Sequence, residues 1–201
     1  AKLDAAFAGI DTAIEISGEK VLDAKALYAS FLTQTFVNGI NDSKWSLENL
    51  ENYNNVVVGY VGAISNAYTD DGSGVLLLST KNISEGGINL KKITRVNRNF
   101  HAKNKKSQLF PGDILVARHG NSGQASMVTS EILEAHALNV IIIKKSETLL
   151  SEYLVFLLNS GVLTKITDSK AGSVQQIINT KIIKELILPV PSLAEQKILV
   201  D

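Results

Sequence analysis

The chain has 201 residues, and its 20 Lys and Arg side chains equal its 20 Asp and Glu side chains, so the formal net charge is zero. This length allows one or two domains with a sizeable core, and 45% hydrophobic residues exclude an intrinsically disordered chain. The absence of cysteine excludes a disulfide scaffold, a Cys-ligated metal site and a thiol nucleophile, and it favours a reducing, cytoplasmic location. No apolar run approaches the roughly 20 residues that a membrane-spanning helix needs, and no signal peptide is recognisable.

Residues 1–40 are predicted to form one long helix with an apolar stripe. The stripe recurs at alternating spacings of four and three residues, a period that is typical of a coiled coil. Its members are Leu3, Phe7, Ile10, Ile14, Ser17, Val21, Ala24, Tyr28 and Phe31. We predict that the helix ends near Asn38, where helix preference has fallen. We assign Leu3, Phe7, Ile10, Ile14, Val21 and Tyr28 to dimerisation; the alternative is an amphipathic helix packed on its own domain.

From Trp45 onwards, short β-rich runs alternate with turn residues. The strand candidates are residues 56–58, 75–78, 114–117 and 140–143. Helices are predicted at 151–159, with Ser151 as N-cap and Gly161 as the stop, and around 179–185. Ser192 and Glu195 form a capping-box pattern, which predicts a helix that starts at Leu193.

These elements predict an α+β chain of three parts. Residues 1–40 form a helical region for dimerisation and spacing, 44–190 a mixed α/β domain with many short strands, and 191–201 the start of a second helix. The absence of a start signal before the first helix and of a stop signal after the last one suggests that both continue in a longer protein.

Charge is distributed unevenly along this chain. Residues 1–85 carry 5 basic and 11 acidic side chains, and residues 113–201 carry 8 and 9. Residues 86–112 carry 7 basic side chains and no acidic one. A cationic stretch without counter-charges suits DNA phosphates, because each neutralised phosphate releases condensed counterions. A solvated loop face is the alternative interpretation of such a run.

Two stretches resemble the specificity subunit of type I restriction-modification systems. The first is the run 110–123, Phe-Pro-Gly-Asp-Ile-Leu-Val-Ala-Arg-His-Gly-Asn-Ser-Gly, which is similar to a core motif of that family's target recognition domains. The second comprises 172–176, Gly-Ser-Val-Gln-Gln, and 186–196, Leu-Ile-Leu-Pro-Val-Pro-Ser-Leu-Ala-Glu-Gln, with Ser192 where the family commonly has Pro. Residues 79–88 and 3–11 resemble two further family stretches. The four occur in family order along nearly the whole chain.

The resemblance implies a specific function. It implies one half of a repeated reader, in which a single target recognition domain binds one half of a bipartite double-stranded DNA target. It further implies recruitment of the methyltransferase subunits, which use S-adenosylmethionine, and through them of the restriction subunits. Halves of this kind can pair in the family, so a homodimer is expected. The chain itself is expected to hold no cofactor.

Candidate DNA contacts combine the basic segment with polar loops. The set is Lys81, Asn82, Lys91, Lys92, Arg95, Arg98, Lys103, Lys105, Lys106, Arg118, His119, Asn121, Ser122, Ser173 and Gln175. Arg commonly reads guanine, whereas Asn and Gln pair with adenine. Further side chains able to reach base edges are Asn97, Asn99, His101, Asn104 and Gln108. Two alternatives stay open: Arg118 as a structural ion pair in a Gly-rich turn, and Gln175 as a turn amide.

Enzyme motifs are not recognisable in the sequence. His101, His119 and His136 lack a metal-binding spacing, and there is no Walker-type, dinucleotide-binding or adenine-methylation motif. We therefore predict no catalytic residue and no metal site. The main rival to a DNA reader is a coiled-coil oligomerisation or adaptor protein whose α/β domain binds another protein. A small standalone enzyme is the second rival.

Overall fold

A computed structural model of the chain describes residues 2–84, 86–120, 122–163 and 178–200. Within these ranges the helices are α1 (Lys2–Asn41), α2 (Arg98–Lys103), α3 (Ser151–Ser160), α4 (Thr180–Lys184) and α5 (Leu193–Val200). The first strands are β1 (Ser46–Asn49), β2 (Val56–Val58), β3 (Tyr68–Thr69), β4 (Val75–Leu78), β5 (Ile83–Ser84), β6 (Gly87–Ile88) and β7 (Thr94–Val96). The others are β8 (Gln108–Leu109), β9 (Ile114–Val116), β10 (Ala125–Met127), β11 (Ala135–Ala137), β12 (Ile141–Ile143) and β13 (Ile187–Val190). The predicted α+β class with many short strands is confirmed.

Two larger sheets organise the domain. An antiparallel four-stranded sheet has the order β10-β9-β12-β2, and a five-stranded sheet has the order β3-β7-β4-β11-β8. In the second sheet, β4 and β11 run parallel, whereas the other neighbouring strands run antiparallel. Two-stranded ribbons are formed by β1 with β13 and by β5 with β6.

The apolar strand runs are explained by burial on both faces of a sheet. Ile141 and Ile143 pack in one core cluster with α3 and the end of α1. Ile142, which points to the other face, packs in a second cluster with Leu78 and Ala137 of the five-stranded sheet. Alternate residues of a strand point to opposite faces, so a strand buried on both sides is apolar throughout.

A third cluster covers the outer face of the five-stranded sheet. Val75 and Leu77 of β4 pack there with Val96, and Phe100 of α2 lies against them. The resulting order of layers is α1 end and α3, four-stranded sheet, five-stranded sheet, and α2. α2, which lies within the basic segment 86–112, is therefore on the opposite side of the domain from the end of α1.

Two helix ends differ from their predictions. α1 continues to Asn41, three residues beyond Asn38, because Gly39 remains helical and its carbonyl accepts hydrogen bonds from the Lys44 and Trp45 N–H groups. The prediction of Ser151 as N-cap is wrong: Leu150 holds that position, and the Ser151 hydroxyl donates to the Gly112 carbonyl at 2.6 Å. Gly161 ends α3 in the left-handed conformation, with φ of 69°, as predicted.

The capping box at the start of α5 is confirmed. Ser192 N–H donates to the Glu195 carboxylate at 3.0 Å, and Glu195 N–H donates to the Ser192 hydroxyl at 3.4 Å. Among the described helices, none is both long and apolar enough to cross a membrane.

Candidate nucleic-acid interface

The acid-free segment 86–112 supplies two separated strands of the five-stranded sheet, β7 between β3 and β4 and β8 at the opposite edge. It contributes β7, then α2 on the outer face, then a 3₁₀ turn at Lys105–Ser107 and finally β8. Asn97 begins α2, because its side-chain oxygen accepts a hydrogen bond from Phe100 N–H at 2.8 Å. Its amide nitrogen donates to the Ala67 carbonyl at 3.1 Å, so the same side chain ties α2 to the loop before β3.

Five of the seven basic side chains of this segment are exposed and carry uncompensated charge. They are Lys91, Lys92, Lys103, Lys105 and Lys106. In the described part of the chain, none of them has a carboxylate oxygen within 4.0 Å. Lys103, Lys105 and Lys106 cluster at the end of α2 and in the turn after it, and we call this surface the α2 face. Lys91 and Lys92 precede β7, whereas α2 follows it.

Both arginines of the segment are engaged within the protein. Arg95 is half-buried and donates to the Gly74 carbonyl at 2.7 Å. Arg98 donates to the Ser73 carbonyl at 3.0 Å and forms an ion pair with Glu134 at 2.7 Å. The two side chains therefore hold the 71–74 turn against the sheet, and the charge of Arg98 is compensated.

A groove borders the α2 face. It has a volume of about 300 Å³ and lies between the loop 63–67 and α2. Ser65, Asn66, Asn99 and Lys103 give it a polar, exposed rim. Sequence reasoning missed Ser65 and Asn66, because they precede the basic segment by 20 or more residues and carry no charge.

Most of the polar side chains interleaved with the lysines serve the fold. Asn104 donates to the Phe100 carbonyl at 2.8 Å, and Gln108 donates to the His101 carbonyl at 3.0 Å, so both close the C-terminal end of α2. Together with Asn97, they have their amides engaged in the protein. Asn99 is exposed on α2 and remains a candidate for contact with a base.

His101 is on the buried face of α2 rather than on its exposed face. It is only 7% exposed, and its Nδ1 lies 3.2 Å from Nδ1 of the fully buried His136. Burial, together with a smaller effect of the neighbouring His101, lowers the pKa of His136 to about 4. Burial also lowers the pKa of His101, and the coulombic effects of Glu134 and Arg98 oppose each other there. His101 therefore anchors α2 to β11, and its interpretation as a base reader is not supported.

Arg118, in the loop after β9, is half-buried and hydrogen-bonded within the protein. Arg118 donates to the Asn139 side chain at 2.9 Å and to the Ile178 carbonyl at 3.4 Å. Asn139 N–H in turn donates to the Tyr60 carbonyl at 2.9 Å, and the Tyr60 ring lies 4.9 Å from that of Phe100. Arg118 thus has a structural role, through hydrogen bonds rather than the ion pair considered above.

Four further candidates have different surroundings. His119 and Ser122 are exposed, and the Ser122 hydroxyl donates to the Arg118 carbonyl at 3.2 Å. Lys81 is exposed, but Asn82 is 2% exposed and binds the backbone of Ser79 at 3.0 Å. Because the Asn82 amide nitrogen also donates, to the Asn89 carbonyl at 3.0 Å, its predicted contact with DNA is not supported. Asn121, Ser173 and Gln175 lie outside the described residues.

The two motifs behind the family resemblance have structural functions. The Asp113 carboxylate accepts hydrogen bonds from Phe110 N–H at 3.0 Å and Lys145 N–H at 3.1 Å, and it pairs with Lys144 at 2.7 Å. In the second motif, the fully buried Gln196 accepts from Leu150 N–H at 2.8 Å. These contacts bring distant turns together and explain why an acid and an amide stand at these positions.

The stripe on α1 is exposed along most of the helix. Ile10, Ile14 and Val21 are 53%, 64% and 53% exposed, and Tyr28 is 57% exposed. Phe7 is 57% exposed; nothing is described for the Leu3 side chain. Contact with the domain begins at Leu32, which is 6% exposed. The alternative of a helix packed along its own domain is therefore wrong for these side chains.

Three comparisons place the chain among known proteins. The family model described as "Type I restriction modification DNA specificity domain" matches residues 28–201. No significant match is found among curated protein sequences.

Solved structures share the fold at low sequence identity. The HsdS subunit of Thermoanaerobacter tengcongensis matches with a TM-score of 0.62 and 16% identity, over 90% of this chain and 44% of that one. A chain from work on complex assembly and conformational transition of the type I R-M system gives 0.60 and 15%, over 95% and 48%. The type I restriction-modification S subunit of M. genitalium gives 0.54 and 14%, over 86% and 43%.

This chain thus spans less than half the length of each of these structures. The family model covers most of its 201 residues, so the chain belongs to the family of type I restriction modification DNA specificity domains.

Proposed function

We propose that this chain is a non-catalytic reader of double-stranded DNA that recognises one half of a bipartite target. The α2 face carries the proposal, because three exposed lysines without a carboxylate partner in the described chain stand beside a groove with a polar rim. Lys103, Lys105 and Lys106 would contact phosphates and fix the position of the domain. Asn66 and Asn99 on the rim would reach base edges, since amides pair well with adenine.

The remaining parts serve assembly in this proposal. Residues 1–40 act as the dimerisation and spacing helix, 44–190 as the target recognition domain and 191–201 as the start of a second helix. The chain recruits the methyltransferase subunits and, through them, the restriction subunits, and it works in the cytoplasm. The family membership supports this reading over an adaptor protein.

The salt dependence of DNA binding tests the α2 face. We expect the triple change Lys103→Gln, Lys105→Gln and Lys106→Gln to reduce the slope of log K against log[salt] by up to about 2.7, because each lost phosphate contact removes about 0.9. A matched control, Lys44→Gln with Lys181→Gln and Lys197→Gln, removes the same charge from other exposed positions. Equal slopes for the two triple variants would exclude the α2 face as the phosphate site.

Selection of bound oligonucleotides tests the function itself. The chain is co-expressed with its methyltransferase subunit and presented with random duplexes. Enrichment of a bipartite or palindromic sequence is expected, because two copies would read two half-sites. Failure to enrich any such sequence would overturn the proposal.

Sedimentation tests the dimer. Ile10→Asp with Ile14→Asp places two charges in the exposed stripe and is expected to yield monomers. The control, Ala26→Asp with Ser30→Asp, adds the same charges at exposed positions outside the stripe. A dimer that survives the first double change would remove α1 from the interface.

A further inference from the structure

α1 projects from the domain as a long helix. Of its described side chains before Leu32, nearly all are exposed, and firm burial begins with Leu32 and the fully buried Phe36. The helix rises 1.5 Å per residue, so the part from Lys2 to Ser30 is about 45 Å long. Its direction is set where it joins the domain.

The end of α1 and the start of α5 meet at that place, which we call the joint. β1 follows α1 and pairs antiparallel with β13, which precedes α5. The register places Ser46, at the start of β1, opposite Val190, at the end of β13. One end of this short ribbon therefore carries both helices.

Trp45 fills the space between the two helices. Its ring meets that of Phe36 edge-on, with centroids 5.4 Å apart and planes at 66°. On another side it lies against Gly39, where an added Cβ would come within 2.4 Å of the ring. Its Nε1–H donates to the Glu195 carboxylate of α5 at 3.2 Å. Trp45 thus touches α1 through two residues and α5 through a third.

Glu195 is itself held in place. Its other carboxylate oxygen accepts hydrogen bonds from the Ser192 hydroxyl at 2.7 Å and the Ser192 N–H at 3.0 Å. The next residue, Gln196, is fully buried and donates to the Pro191 carbonyl at 2.9 Å while it accepts from Leu150 N–H. Glu195 is therefore held at a fixed place relative to the core of the domain. Trp45 donates a hydrogen bond to Glu195 and packs against α1, so it links α1 to that fixed place.

We propose that Trp45, seated between Gly39 and Glu195, is a positioning residue that fixes the angle of α1 and thereby the gap between the two half-sites. A rotation of α1 by about 10° at this joint would move the far end of its 45 Å exposed part by about 8 Å. Successive base pairs are about 3.4 Å apart along DNA, so that displacement exceeds two base pairs. The link to half-site spacing rests on the proposed function, whereas the rigidity of the joint does not.

Distances between spin labels test the joint directly. The chain has no cysteine, so Glu19→Cys on α1 and Glu147→Cys on the domain create a unique pair of labels at exposed positions. Dilution with unlabelled chain removes distances between protomers. Gly39→Ala, which drives a Cβ into the Trp45 ring, is expected to shift or broaden the distance distribution by several ångströms. Trp45→Phe, which keeps a ring but loses the Nε1–H, is expected to broaden it less.

A matched control separates the joint from general instability. Gly59→Ala introduces a Cβ within 2.8 Å of Ala137 in the domain interior and leaves the joint intact, so its distance distribution is expected to remain that of the parent chain. If Gly39→Ala does not fold, Trp45→Phe decides the question. A parental distribution in the folded joint variants overturns the proposal.

DNA selection from a library of variable gaps supplies the functional measurement. The parent chain is expected to select one gap, and Trp45→Phe several gaps with the same half-site bases. A single unchanged gap for Trp45→Phe overturns the role in spacing. If the parent chain enriches no bipartite site, the proposed function fails, and the label distances still judge the joint.

Discussion

Removal of the Asp113 carboxylate is expected to destabilise the α+β domain strongly. The side chain is 5% exposed, and its two oxygens accept from Phe110 N–H, Lys145 N–H and the Lys144 ammonium. Asp113→Ala leaves all three donors without this acceptor. Asp113→Asn is also expected to destabilise the domain. Its amide nitrogen is a donor and would face either Lys145 N–H or the pair of donors Phe110 N–H and Lys144 ammonium.

The magnitude follows from the surroundings of Lys144. Loss of one partner of a buried ion pair costs about 3–5 kcal/mol. The Lys144 side chain is 26% exposed and keeps the Gln108 carbonyl at 2.6 Å, so its ammonium is only partly stranded. We therefore expect Asp113→Ala to lower the free energy of unfolding by about 3 kcal/mol, the lower end of that range.

Urea unfolding with a double-mutant cycle measures this cost. Lys144→Met keeps the aliphatic stem and leaves Asp113 with its two backbone donors, so it is expected to cost about 2 kcal/mol. Combined with Asp113→Ala, it should reveal a coupling energy of about 1.5 kcal/mol, since the residues contact each other. Unchanged denaturant slopes would confirm that the same two states are compared.

Two results would refute the reasoning about Asp113. One is a loss of less than about 1 kcal/mol for Asp113→Ala, which would show that water or a shifted backbone replaces the carboxylate. The other is a coupling energy near zero, which would show that Asp113 acts through the turn alone and not through Lys144.

Two further changes test the buried polar contacts. The folded-state pKa of His136, about 4, lies below its ordinary 6.5, so protonation disfavours the fold. The free energy of unfolding should therefore fall as pH drops from about 6.5 towards 4, by at most about 3 kcal/mol. His136→Leu should flatten that part of a urea-unfolding pH profile, and an unchanged profile would contradict the lowered pKa of His136. Gln196→Ala leaves three backbone groups near α5 without their partner and should lower the free energy of unfolding by urea by about 3 kcal/mol. Lys197→Ala, at the exposed neighbouring position, should cost nearly nothing. Equal effects would contradict the role of Gln196 in anchoring α5.

Local signals in the sequence were sufficient for part of the secondary structure: the four predicted strand runs correspond to β2, β4, β9 and β12, whereas α2 and the other strands were not predicted. The stripe on α1, the apolar strand runs and the Ser192–Glu195 capping box all depend on residues a few positions apart, so their periodicity is visible in the chain. Ser151 shows the limit of such signals. A serine at the start of a helix suits an N-cap, but its hydroxyl reaches Gly112, which is 39 residues away.

The candidate interface was predicted only in part, for the same reason. Composition identified the acid-free segment, and the structure leaves five of its lysines exposed. Composition could not show that Arg98 pairs with Glu134, or that His101 is buried beside His136, because those partners are 36 and 35 residues away. Asn66, on the rim of the groove, is uncharged and belongs to none of the sequence motifs, so nothing in the sequence indicated it.

By itself, the sequence determined the class of the fold, the long helix with an apolar stripe, the basic charge of the candidate interface and the family resemblance. These properties follow from composition, period and short motifs, which need no knowledge of distant neighbours. The tertiary structure decided which polar side chains remain exposed at the candidate interface. Burying a polar group requires a partner, and those partners come from other strands and turns, so Asn82, Arg95 and Arg118 became part of the scaffold while Lys103 and Asn99 stayed on the surface.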